Sequence, residues 1–135
     1  MILRPAIPTD LPAIAEIQAA CPEASQWNPS DYFNYNCWVA ERDRLCGFVV
    51  TRQTAPGESE VLNLAVAPDC RRSGVGRALL DAALEAAPGA WFLEVRESNV
   101  GAIRLYENAG FRVCGKRPAY YSDPCEAGIV MSREK

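Results

Sequence analysis

An α/β fold, with a mixed sheet covered by helices on both faces, follows from three features of this 135-residue chain. Runs rich in Val, Leu, Ile and aromatic residues alternate with segments whose apolar residues recur at helical spacing. The tight charged turn Arg42-Asp43-Arg44 joins two strands directly as an antiparallel hairpin. Elsewhere strands alternate with helices, which makes the sheet mixed.

Element by element, Ile2 to Ala6 reads as a short strand, and Thr9-Asp10 caps a helix with Pro12 in its first turn. Leu11, Ile14 and Ile17 share one face of that helix. Cys21 to Asn36 is irregular apart from a short helix from Ser30 to Tyr35, whose Tyr32, Phe33 and Tyr35 read first as core filler. Cys37 to Glu41 and Leu45 to Thr54 form the hairpin, and the next strand runs from Glu60 to Val66. A helix from Gly74 to Ala87 carries Leu79, Leu80, Ala83 and Leu84 on one face and closes at Pro88-Gly89. Trp91 to Val95 is an apolar strand, and Val100 to Ala109 is a helix with Ile103 and Leu105 inward, stopped by Gly110. Phe111 to Gly115 and Ala127 to Ser132 are the last strands, around a loop from Lys116 to Glu126.

The length suits one domain spanning residues 1–135, with a single continuous core. A net charge of −3 argues against nucleic acid and anionic membranes as partners. No apolar run reaches the ~20 residues of a membrane span, and the N-terminus lacks a signal-peptide core, so the expected location is cytoplasmic. The six cysteines show no CxxC pairing and read as core or surface thiols in a reducing compartment. Histidine is absent, which removes His-containing metal sites and any Ser-His or Cys-His nucleophilic pair.

The most telling stretch runs from Asn63 through Asn63-Leu64-Ala65-Val66-Ala67-Pro68 into Arg71-Arg72-Ser73-Gly74-Val75-Gly76-Arg77. Here an apolar strand passes through a turn rich in glycine and arginine into a helix. Glycines admit close approach of a ligand, the helix N-terminus offers unpaired N–H groups, and arginines add whole charges, so the stretch suits a pyrophosphate. A dinucleotide fingerprint would need glycine at Leu79, and the Gly-Lys-Ser/Thr of a P-loop is missing. An ordinary strand-to-helix turn with a basic cap is the bland alternative.

Arg-x-x-Gly-x-Gly after a strand ending in Ala-Pro resembles the coenzyme A-binding motif of the GNAT acetyltransferases. A second stretch, Leu93-Glu94-Val95-Arg96-Glu97-Ser98-Asn99 through Tyr106 to Gly110-Phe111, resembles the second motif of that family. Leu93-Glu94-Val95-Arg96 with Ser98-Asn99, Asn63-Leu64-Ala65-Val66 and the pair Tyr120-Tyr121 is similar to the RimI-like ribosomal-protein alanine N-acetyltransferases. The resemblance implies the GNAT fold, a mostly antiparallel sheet of six to seven strands, and acetyl-CoA as co-substrate with no metal. It assigns Glu94 as general base, acting through water, and Tyr106 as general acid to the departing thiolate. Backbone groups at Leu64, Ala65 and Val66 then bind the pantetheine arm and polarise the thioester carbonyl. The turn residues Arg71, Arg72, Ser73, Gly74, Val75, Gly76 and Arg77 hold the pyrophosphate, and Asn99, Ala102 and Tyr106 contact the coenzyme arm. Cys70, Arg71 and Ser73 depart from common family residues, and Gln26-Trp27-Asn28-Pro29 matches the subgroup's substrate-facing element only loosely.

The expected acceptor is a protein N-terminal α-amine, with a ribosomal N-terminal alanine as the specific case. Such an amine has a pKa near ~7.7–8 against ~10.4 for lysine, so its neutral form costs roughly 3 kcal/mol less to supply. Two alternatives stay open. A small-molecule amine would need an acidic pocket from Asp31, Glu41, Glu97 or Asp123. A non-catalytic acyl-CoA sensor would bind coenzyme without transferring its acyl group.

Overall fold

The computed structural model describes residues 1–121 and 125–134. Seven strands form one sheet in the order β1-β2-β3-β4-β5-β7-β6. These are β1 (Ile2–Pro5), β2 (Asn36–Arg42), β3 (Arg44–Ala55), β4 (Glu58–Val66), β5 (Ala90–Arg96), β6 (Arg112–Tyr121) and β7 (Glu126–Arg133). Only β4 and β5 pair in parallel; every other neighbour is antiparallel. Three helices, α1 (Leu11–Ala19), α2 (Val75–Ala86) and α3 (Val100–Asn108), complete a GNAT-like mixed fold with a mostly antiparallel sheet.

Alternation along the strands divides the core into two layers. On one face Val39, Phe48 and Val50 pack with Ile14 and Ile17 of α1 and with Tyr32 from a 3-10 helix at Pro29–Asn34. On the other, Val49, Leu93 and Met131 pack with Leu79 and Leu80 of α2 and with Tyr106 and Ala109 at the α3 end. Of the three aromatics that read as filler, Tyr32 is fully buried, Phe33 is half-buried and Tyr35 is exposed, so only the first is core. Asp43 takes a left-handed conformation at the β2–β3 turn. All six cysteines are free, with Cys21, Cys37 and Cys46 buried.

Three sequence expectations give way. Asp10 does not cap α1 with its side chain; its carboxylate accepts from the Arg4 guanidinium at 2.8 and 2.9 Å and from the Ile7 N–H. That pairing ties β1 to the start of the helix and holds the Asp10 carboxyl below the usual carboxylate range. In α3 the deep position belongs to Tyr106, with Ala109 just past the helix end, while Ile103 and Leu105 face the core but are only half-buried. The expected loop from Lys116 is instead the second half of β6, which continues to Tyr121. A register shift between Val113 and Gly115 lets the strand pass the break that a glycine suggests.

Candidate active site

Parallel pairing between β4 and β5 runs from Glu58–Ala90 to Val61–Leu93 and stops there. At that point β4 carries an extra residue, Leu62, because Val50 pairs with Asn63 whereas Thr51 pairs with Val61. Such a bulge adds local twist and re-aims the strand. Beyond it, β4 and β5 flank three spaces that share walls. A cavity of about 400 Å³ lies toward the N-termini of α2 and α3. A groove of about 420 Å³ lies on the opposite side. Between them is a neck of about 30 Å³, room for one water molecule.

The cavity is lined by Leu64, Ala65 and Val66 of β4, by Arg71, Arg72, Gly74, Val75, Gly76 and Arg77 of the turn, and by Asn99 and Ala102 of α3. Gly74 has φ +83°, a left-handed conformation that starts α2 and that a side chain rarely adopts. Ser73 is not in this lining; its hydroxyl donates to the Cys70 carbonyl. Two of the three arginines, Arg71 and Arg77, already have protein partners. Arg77 pairs with Asp81 and donates to the Asn108 carbonyl. Arg71 donates to the Val66 carbonyl at 3.2 Å, to Cys21 Sγ at 3.3 Å and to Glu23 at 2.7 Å. Asn99 accepts from the Ala102 N–H, so it caps α3 while facing both the cavity and the neck.

At the neck, Glu94 and Tyr106 come together with Tyr121. The Glu94 side chain is 17% exposed, with Oε1 at 3.5 Å from the Arg117 guanidinium. Its Oε2 is buried and has no hydrogen-bond partner among the described residues. Gly128 of β7 makes room for it: a Cβ there would lie 2.5 Å from Oε2. The Tyr106 ring packs against Phe111, 5.6 Å between centroids, so the residue is core at its base and neck at its edge. Burial pushes the Tyr106 phenol well above its ordinary value. Burial, with the nearby Glu94 charge, pushes Tyr121 up to about 12. Both hydroxyls are therefore protonated at neutral pH, the form a proton donor needs.

Tyr121 also lines the groove, with Tyr120 at 5.1 Å and the Arg96 guanidinium 4.6 Å over its ring. The motif match names this tyrosine pair without placing it, because register in β6 decides which side chain reaches the neck. Trp27, Gln26, Glu60 and Leu62 supply other parts of the groove wall. Asp31, Glu41 and Glu97, candidates for an acidic pocket, do not line it, and Asp123 lies outside the described residues.

Sequence reasoning also passed over Asn63 as a site residue. Its buried side chain bonds Ser25, Tyr32, Gln18 and the Leu64 N–H. A polar residue in an apolar strand was the available signal, since buried amides survive only when satisfied. The network fixes the segment after α1, from which Glu23, Ala24 and Ser25 line the neck.

Comparison with known proteins gives a consistent picture. The model of the acetyltransferase (GNAT) family matches residues 10–111. The [ribosomal protein bS18]-alanine N-acetyltransferase of Escherichia coli K12 is 33% identical over 136 residues, covering 92% of this chain and 90% of that protein. An uncharacterized protein of Mycobacterium leprae is 45% identical over 107 residues, and the match spans 75% of this chain but only 30% of that longer protein. The crystal structure of the E. coli ribosomal-protein-S18-alanine N-acetyltransferase superposes with a TM-score of 0.83 at 30% identity, covering 98% of this chain and 92% of the other. Among the described residues, no helix is long and apolar enough to cross a membrane.

Proposed function

The chain belongs to the GNAT acetyltransferase family, and on that premise we propose that it moves an acetyl group from acetyl-CoA to the N-terminal α-amine of a protein. The N-terminal alanine of a ribosomal protein is the specific acceptor we favour. One observation carries the reading: a cavity lined by glycine and arginine meets an aromatic groove at a neck holding a carboxylate and two protonated phenols. The 33% identical E. coli enzyme, named for alanine acetylation of bS18, supports the choice of acceptor.

In this reading the coenzyme lies in the cavity, its phosphates at the Arg71–Arg77 turn and α2 N-terminus, where unpaired N–H groups and the helix dipole favour anions. When bound, acetyl-CoA supplies the activated acetyl thioester. Backbone groups along Leu64 to Val66 hold the pantetheine arm and polarise the carbonyl; the Leu64 N–H joins them only by leaving Asn63 Oδ1, which it meets at 3.0 Å. The acceptor enters by the groove. Glu94 takes a proton from its ammonium, directly or through one water in the neck, because only the neutral amine attacks. Tyr106 hands a proton to the departing sulfur. With no histidine to activate a cysteine, transfer is direct rather than through an acyl-enzyme.

Mass-spectrometric detection of acetylation on a panel of free-N-terminus Ala, Ser and Met peptides and polyamines tests the proposal. Product on the peptides supports it. Product confined to polyamines would make this a small-amine enzyme, and coenzyme binding without any product would make it a sensor.

A further inference from the structure

The cavity assigned to the coenzyme has cationic walls, with Arg71, Arg72 and Arg77, and a single acidic residue, Glu23. A carboxylate is out of place where phosphates are to bind. Glu23 is not free, however: its Oε1 is 2.7 Å from Arg71 Nη2, and the same nitrogen reaches Cys21 Sγ. The Glu23 backbone carbonyl accepts from Asn99 Nδ2 at 3.4 Å, which sets this residue across the cavity between the β4 end and α3. Glu23 also lines the neck, and two residues later Ser25 is bonded to Asn63. The residue therefore stands at the junction of the cavity and the neck.

We propose that Glu23 is a built-in competitor for the coenzyme's phosphates. Among the described residues Arg71 has one anionic partner, and an entering diphosphate must take it from Glu23. The competition lowers coenzyme affinity by the fraction of molecules in which Arg71 is engaged. Because both side chains are well exposed, 46% for Arg71 and 34% for Glu23, the pair is weak enough to be exchanged. Displacement frees the carboxylate end of Glu23, while its backbone stays tethered through Asn99 and Ser25. Glu23 is thus a residue that sets coenzyme affinity: it weakens ligands that bear phosphate and leaves phosphate-free ones unaffected.

The inference rests on the coenzyme part of the proposed function and not on the identity of the acceptor. It is tested by calorimetric titration with coenzyme A and, separately, with pantetheine, which lacks the diphosphate. Glu23→Gln is expected to tighten coenzyme A about two- to five-fold, the range of an exposed ion pair, and to leave pantetheine unchanged. In an Arg71→Met background the same change should produce no gain. Glu23→Ala is a second variant that removes the carboxylate without placing an amide against Arg71, and it should move affinity in the same direction. Unchanged or weaker coenzyme A binding in both Glu23 variants would overturn the proposal. So would a gain that persists with pantetheine or without Arg71, and so would a protein that binds no coenzyme A. Failure to acetylate any amine, with the affinity pattern intact, would overturn the acetyl-transfer reading and leave this inference standing.

Discussion

Asn63 and Ser25 bond to each other in both directions: the Asn63 amide donates to the Ser25 carbonyl at 3.0 Å, and the Ser25 N–H donates to Asn63 Oδ1 at 3.3 Å. This joins the strand that walls the cavity to the segment that walls the groove. Tyr32 and Gln18 complete the network from the core side. Asn63→Ala strips partners from several buried groups at once and is expected to cost about 1–3 kcal/mol, read from urea unfolding. Tyr32→Phe keeps the ring against Phe48 and should cost less.

Much of the fold is written in local patterns, and much of the site is not. Alternation of Val39, Phe48 and Val50 against Val49 identifies the central strands, and Gly74 and Gly110 mark helix ends, because each of these signals is local. The extent of β6 is not local. Gly115 and Pro118 look like breakers, yet pairing with β7 across Lys116–Ile129 and Arg117–Gly128 carries the strand on to Tyr121. The motif names Glu94 and Tyr106, which the structure brings together at the neck. Tyr121 and the Asn63 network are not placed by it, since their roles depend on which strand lies beside which. The turn motif points to Arg71 as part of the phosphate seat, but nothing near it in sequence announces Glu23, 48 positions away.

Glu94→Gln keeps the size of the side chain and removes its basicity. Turnover should fall by about a hundred-fold or more, the usual worth of a general base. The dissociation constant for acetyl-CoA, measured by calorimetry, should stay within about two-fold, because Glu94 lines the neck and groove but not the cavity. Full activity across the pH range would remove Glu94 from the mechanism.

Tyr106→Phe separates the phenol from its ring. The ring's packing with Phe111 is retained, so the melting temperature should change by no more than a few degrees. Turnover should drop by about a hundred-fold, with the acceptor KM little altered. An active variant would leave Tyr121, the other phenol at the neck, as the donor.

Stability should fall in alkali. Burial pushes the Cys37 thiol from 9.0 to about 12 and the Tyr121 phenol from 10.0 to about 12, and raises Tyr32 as well. Between the ordinary and the raised values the folded chain keeps protons that the unfolded chain has released. Their contribution is complete below the ordinary values and is lost as pH climbs through the raised ones. Urea midpoints under reducing conditions should therefore start to decline near pH 9 and keep falling toward about 12. Cys37→Ala should flatten the first part of that decline.

The site of acetylation on one peptide is the most direct measurement. A peptide with a free N-terminal alanine and an internal lysine, incubated with acetyl-CoA and sequenced by fragment mass, offers both amines at equal concentration. The added acetyl group is expected on the α-amine. Acetylation confined to the lysine ε-amine, or no product from protein shown to bind the coenzyme, would contradict it.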